Sequence, residues 1–471
     1  MTDSGSGNAV ARVIPFPATA RPVPTSRLVR DTKLAGIPVA YMGRRMAGRG
    51  RRMLGRPAAE VERDIQMRTA QHLFEVLGEL RGCAAKVGQM AAVYRAVLPL
   101  DLAGADFAEL AGDALSRLQD SVPPMLPALV HQVLAANLGP EWRARFREFD
   151  DRPAAAASLG QVHRAVWHDG RAVAVKVMYP GARAAVEADL RMLRGMSGII
   201  GALMPGADVR AVVSMVCVIV GDELDYHREG AHQQIMADTF AGDPEFLVPN
   251  VVEHADEVLI GEWVDGTPLS AVIASGSPQE RSRAGFAVLR FIESSRVRSG
   301  LHYSDVHPGN FLVLPDGRLG VVDFGACAAP PPNLERTVAE LGEVLYNGTP
   351  DELESALRAH GFVRPGQAFD VDEFIRLTRP FLEILLHKDF RLTPEWVREQ
   401  SRALLRIRLS NVFRQMTLPP ELTAVARSAT TTMGVLCQLG THGPIRDEFL
   451  SWWPGLADTI RRYESNRRPN P

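Results

Sequence analysis

Three oxygen-bearing side chains fall close together in one short stretch of this chain. In Ser304-Asp305-Val306-His307-Pro308-Gly309-Asn310 an aspartate and an asparagine stand at the spacing D-x-x-x-x-N, and further on a second aspartate opens Asp323-Phe324-Gly325. Between them Pro315-Asp316-Gly317 marks a hairpin turn, and Leu319-Gly320-Val321-Val322 reads as the strand that delivers Asp323. Phosphoryl transfer calls for a carboxylate near the attacking group and for Asn and Asp oxygens that hold a metal on the phosphates. The segment supplies all three: Asp305 for the attacking group, Asn310 and Asp323 for a cation, with Mg²⁺ the expected ion. DFG alone is a weak signal. One hairpin after D-x-x-x-x-N it is specific, against the alternative of a polar turn followed by a buried strand.

Upstream, Val173-Ala174-Val175-Lys176 alternates as a strand and ends on a lysine that can reach the α- and β-phosphates of a nucleotide. Only four of the 53 basic residues are lysine (Lys33, Lys86, Lys176 and Lys388). An Arg-rich chain keeps Lys where a compact point charge serves and a wide planar fork does not. The turn just before that strand is where a phosphate-covering loop belongs. It reads Ala154-Ala155-Ala156-Ala157-Ser158-Leu159-Gly160, so Ala155, Ala156, Ala157 and Ser158 would face the phosphates. Each Ala Cβ excludes positive φ and holds the backbone further from a phosphate than Gly would, which counts against rapid protein phosphorylation.

The elements that must position these residues follow from pattern. Residues 1–57 are rich in Pro, Gly, Ser and Arg, with eleven Arg or Lys against two Asp, and read as a basic disordered tail. The tract from Arg44 to Arg56 is either a solvated linker or a contact for acidic lipid headgroups. From Pro57 to about Asp120 the apolar spacing is helical; Pro123, Pro124 and Pro127 break it, and another helix runs through Ala128–Leu138. The pattern changes at Asp150 to strand, turn, strand, with the hairpin at His168-Asp169-Gly170. A helical region runs from Gly181 to about Phe240, then two strands, FLVPNVVE and EVLIGEWV, end at Asp265-Gly266. The rest is mostly helical. The expected organisation is thus α+β: a tail (1–57), a helical extension (58–149), a small mixed lobe (150–265) and a larger helical lobe (266–471).

The formal charge of −2 gives no global field for nucleic acid. Cys83, Cys217, Cys327 and Cys437 lie far apart without a CxxC pair, which argues against a zinc site and for a reducing compartment. No signal peptide is visible, and the run Ala211–Val220 is half of what a membrane span needs. A cytoplasmic protein is expected, with peripheral membrane contact left open. Trp452-Trp453 is read as a packed aromatic pair rather than as an interfacial anchor.

These motifs, in this order, resemble the UbiB family, the atypical aarF-domain kinases linked to quinone and isoprenoid-lipid metabolism. The Ala-rich loop is one hallmark, Lys86-Val87-Gly88-Gln89 matches the KxGQ motif, and Glu223-Leu224-Asp225 matches ExD, with Glu229 soon after. The resemblance spans about residues 58 to 440. It implies a protein-kinase-like two-lobe fold whose helical extension carries KxGQ over the active site, where Lys86 and Gln89 meet Glu223 and Asp225 and gate access. On the residues alone, Lys86 and Gln89 share one helix face that is either a solvent edge or the wall of a polar site. Glu229, or else Glu223, would pair with Lys176; Glu229 is preferred because it lies inside its helix.

In such a fold Glu262-Trp263-Val264 joins the lobes and offers backbone groups to adenine, and Gly261 leaves extra room at the back of the pocket. Where the family usually has HADPHPGN this chain has Tyr303 and Val306; His232 replaces a common Asn; His302 and His307 are read as structural. The implied function is a Mg²⁺-dependent ATPase, with ATP or ADP as ligand and an isoprenoid lipid or quinone precursor as partner. The alternatives are a kinase acting on a protein or small molecule, and a nucleotide-gated binding module.

Overall fold

The computed structural model describes residues 124–157, 159–203, 213–214, 217, 220–406 and 415–467 of the 471. Lys86, Gln89 and Ser158 lie outside them, as does the expected helical extension up to 123.

The small lobe is a five-stranded antiparallel sheet in the order β1-β2-β3-β6-β5. Its strands are β1 (Phe146–Ala157), β2 (Gly160–Trp167), β3 (Ala172–Met178), β5 (Val251–His254) and β6 (Val258–Glu262). Helix α1 (Pro127–Leu138) starts with Pro in its first turn, where the missing N–H is no loss. It packs Val130, Val133 and Leu134 onto Val173, Val175, Val177, Val258 and Ile260. The core of this lobe therefore begins at Met125, ahead of the boundary at 150, and β1 starts at Phe146, ahead of the change of pattern at Asp150. The aromatic residues Trp142, Phe146 and Phe149, edge to face with one another, anchor that early start.

After β3 comes α2 (Ala182–Leu203), and α3 (Tyr226–Thr239) packs on β5 and β6. The segment FLVPNVVE, expected as one strand, is divided. β4 (Phe246–Leu247) pairs in parallel with β10 (Leu319–Val321) of the large lobe, whereas β5 returns to the small-lobe sheet. Pro249, with no N–H and a fixed φ, stands at the break. This one segment ties the two lobes together.

The large lobe opens with β7 (Thr267–Pro268), α4 (Leu269–Ser275) and α5 (Pro278–Ser294), the last started by a full Ser277/Glu280 capping box. β8 (His302–Tyr303), β9 (Phe311–Val313), β10 and β11 (Cys327–Ala328) frame the motif loops. β9 and β10 form the expected hairpin, and β8 pairs with β11. Helices α6 (Leu334–Asn347), α7 (Pro350–Ala359), α8 (Val371–Glu383), α9 (Pro394–Arg406), α10 (Thr423–Leu439), α11 (Ile445–Ser451) and α12 (Pro454–Arg467) complete it. Trp453 packs with Leu334, Leu450, Leu456 and Ile460 and is 6% exposed, so it is a core residue. No helix among the described residues is long and apolar enough to cross a membrane.

Candidate active site between the lobes

Alternation along β3 sends Val173, Val175 and Val177 into the core beneath α1 and turns Ala172, Ala174 and Lys176 to the opposite face. There the Lys176 ammonium lies 2.8 Å from Glu229 Oε1, 2.9 Å from Glu229 Oε2 and 3.5 Å from Asp323 Oδ2. Of the two carboxylates considered for this pairing, Glu229 takes it. It sits in the first turn of α3, whose start is fixed by the Asp225 side chain accepting from the Arg228 N–H at 3.0 Å. Tyr226, fully buried one turn before Gly230, places its ring 5.0 Å from the ammonium.

Burial works to deprotonate Lys176, but the charges of Asp323 and Glu229 prevail and hold it protonated well above the ordinary lysine range. Burial pushes Glu229 up to about 7 against the pull of Lys176, and the charge of Asp323 adds to the rise. One ammonium is shared among several acids, so the lysine stays charged while its principal partner is less acidic than a free glutamate.

Asp323 has φ 69°, the one positive φ among described non-glycine residues. A left-handed residue at the end of β10 turns the chain sharply, at a cost of about 1–2 kcal/mol. The turn aims the carboxylate at Lys176 while Phe324 drops into the core. Below, the Asp305 loop is held from several directions. Asn310 Nδ2 donates to the Asp305 carbonyl at 3.1 Å and to its Oδ2 at 3.2 Å. Arg427 Nη2 donates to Asp305 Oδ1 at 2.6 Å, in an ion pair whose side chains are 5% and 12% exposed. Ser428, the next residue of α10, donates to the Tyr303 carbonyl. With the Asn310 nitrogen committed to Asp305, its amide oxygen is what remains for a cation.

Glu223 is buried, and it, Asp305 and Asp323 each bring a carboxylate oxygen within 4.8 Å of the others. Hard oxygen donors at such spacing suit a small divalent cation. Asp225, singled out with Glu223, is tied to the start of α3, as described.

The two departures from the usual loop are core residues. Tyr303 is fully buried, stacks edge to face on Phe324 at 5.6 Å, and donates to the Val322 carbonyl at 3.1 Å. Val306 is buried beside it. His307 accepts from the Gly309 N–H, and His232 Nδ1 meets the Phe324 carbonyl at 3.3 Å.

The Ala-rich segment is less of a loop than its sequence suggests. Ala155, Ala156 and Ala157 pair with Val162, Gln161 and Gly160, so β1 runs to Ala157 and β2 starts as early as Gly160. Gly160 allows that close return, since a Cβ there would fall 2.1 Å from the Val177 carbonyl oxygen. At the hinge, the Glu262 carboxylate is engaged by Asn250 and Arg171. The Val264 N–H makes no hydrogen bond among the described residues and is an open donor. The extra room expected behind Gly261 is filled: a Cβ at 261 would lie 2.8 Å from Gln233 Nε2. The glycine is there because a buried glutamine from α3 crosses it.

Arg427, Gln233 and the grouping of Glu223 with the two motif aspartates escape sequence reasoning. For Arg427 the only signal is the cluster of small hydroxyl residues, Ser428 and Thr430 to Thr432, that follows it.

The family described as ABC1 atypical kinase-like domain matches residues 117–355. Among curated relatives, the uncharacterized protein slr1919 of Synechocystis is 31% identical over 352 residues, covering 69% of this chain and 60% of that protein. The probable protein kinase UbiB of Xylella fastidiosa is 29% identical, with 55% of this chain and 48% of that protein covered. The mitochondrial atypical kinase coq-8 of Caenorhabditis elegans is 28% identical, with 70% and 43% covered. The matched region spans at most 60% of the length of these relatives. A solved structure, the complex of Rv3197 with erythromycin from Mycobacterium tuberculosis, superimposes with a TM-score of 0.61 at 37% identity, covering 85% of this chain and 100% of that one.

Proposed function

Because this chain belongs to the UbiB family of ABC1 atypical kinase-like proteins, we propose that its cleft binds ATP with Mg²⁺ and hydrolyses it in the service of isoprenoid-lipid or quinone homeostasis. One observation carries the reading: Lys176 is held between Glu229 and Asp323, and Asp323 is itself one of a group of three close carboxylates, with Glu223 and Asp305. A lysine so placed meets phosphate oxygens as a point charge. Adenine lies against the hinge, where the Val264 N–H is an open donor.

The donor set fits the cation. Asp323, the Asn310 amide oxygen and Glu223 would hold Mg²⁺, which when bound neutralises charge on the phosphates. Asp305, with Arg427 on one oxygen and Asn310 on the other, is better placed to orient a water than to move freely with a bulky acceptor. The paired Ala155–Ala157 strand, whose side chains keep the backbone back from a phosphate, also favours slow hydrolysis over protein phosphorylation. Lys86 and Gln89 gate this site in our reading, together with Glu223 and Asp225. The protein acts in the cytoplasm, with peripheral membrane contact through its basic tail.

A second reading, a nucleotide-gated module for a bulky apolar ligand, is favoured by the solved relative, whose structure is a complex with erythromycin. The two separate in one experiment. ATP hydrolysis is measured for wild type and Asp323→Asn, with and without liposomes and isoprenoid-quinone analogues. Turnover that rises with lipid and is lost in Asp323→Asn supports the ATPase. Absence of turnover, with ATP still raising the melting temperature, supports the gated module.

A further inference from the structure

Gln233 follows Glu229 by one helical turn on α3, so both side chains project from the same face of the helix. Gly261, which Gln233 covers, is paired with Ala174 on β3, and Lys176 is two residues further along the same face. Gln233 is thus a cleft residue, 6% exposed, at the end of the strand that runs into the hinge.

The orientation of its amide is determined by chemistry. Gln233 Nε2 donates to the Pro249 carbonyl oxygen at 2.9 Å. A carbonyl only accepts, so the nitrogen must face it, and the amide oxygen is turned away from Pro249. No donor among the described residues meets that oxygen. A buried glutamine with one end pinned and the other an open acceptor, beside a glycine and one residue before the hinge, is arranged to receive a ligand's N–H.

We infer that Gln233 selects the nucleobase: its amide oxygen accepts from the 6-amino group of adenine. That amino group carries two hydrogens. One meets the Glu262 carbonyl at the hinge, and the other points to the back of the cleft, where Gln233 stands. Guanine presents a 6-oxo group at the same place and would set acceptor against acceptor. The assignment rests on the nucleotide reading of the cleft.

The test compares ATP, GTP and purine riboside triphosphate, which has no 6-substituent, competing with a fluorescent ATP analogue on the full chain with Mg²⁺. Wild type is expected to prefer ATP over purine riboside triphosphate by on the order of tenfold, with GTP weaker still. Gln233→Leu and Gln233→Met should reduce that preference to about twofold while still binding purine riboside triphosphate. Gly261→Ala, which displaces the same amide from the other side, should lower the ratio too. A merely structural role would weaken all three nucleotides alike. Equal binding of ATP and purine riboside triphosphate by wild type, or an unchanged ratio in the variants, overturns the assignment and leaves the nucleotide reading intact. Failure of wild type to bind any of the three overturns both.

Discussion

Arg427 and Asp305 form a buried ion pair across 122 residues of sequence, and removing the arginine should be costly in a way that removing both partners is not. At 2.6 Å and an effective dielectric of about 20 the attraction is roughly 6 kcal/mol. Desolvation of both groups offsets much of it, and broken buried pairs typically cost about 3–5 kcal/mol because one charge is left stranded. Arg427→Met is therefore expected to destabilise the protein by about 3–5 kcal/mol, and Asp305→Asn by a comparable amount. The double variant should lose only about 1–2 kcal/mol, since no buried charge is orphaned. The assay is urea unfolding followed by far-UV circular dichroism, with the four proteins analysed as a cycle. A coupling energy near 3 kcal/mol or more is predicted. Arg427→Met within about 1 kcal/mol of wild type, or additive losses within about 0.5 kcal/mol, would refute the reasoning.

Other consequences are equally specific. Gly261→Ala must push the Gln233 amide, whose nitrogen stands 2.8 Å from the added Cβ, and should cost about 1–3 kcal/mol in thermal or urea unfolding. Burial, with the charge of Arg296 adding, pushes His302 down to about 4 from 6.5, so the unfolded chain takes up this proton first. Stability that is full above pH 6.5 is lost as pH falls towards 4, by up to roughly 3 kcal/mol. His302→Leu should lack that component; profiles that stay parallel between pH 7 and 4 would contradict it. Asp225→Ala removes a helix cap and should cost about 1 kcal/mol, with a loss under about 0.3 kcal/mol arguing against the capping role.

How far the sequence reaches is clearest from particular residues. Asp305, Asn310 and Asp323 are legible because their spacing is local: a tight loop and one hairpin carry all three, and few other structures need that order. Lys176 is legible because alternation along one strand and the scarcity of lysine single it out. Glu229 could be preferred over Glu223 from its place inside a helix. By contrast, α1 reads as the end of a separate helical region because nothing local says which sheet will cover it. The division of FLVPNVVE between two lobes depends on β10 being available as a partner. Gly261 reads as empty space because a sequence does not say what crosses a glycine, and Arg427 reads as one more arginine among many. In each case the deciding contact is long-range, set by packing rather than by periodicity.

The proposed function stands or falls with ATP binding, through a divalent cation, in the Lys176–Asp323 cleft. Its most direct test is calorimetric titration of ATP into the full chain, with Mg²⁺ and with EDTA, for wild type and Asp323→Asn. Binding in wild type that weakens by about tenfold or more on loss of either Mg²⁺ or the Asp323 carboxylate is predicted, as expected for a phosphate site that shares its cation with an acid. Absence of binding in wild type, or equal affinity in all four conditions, would contradict it.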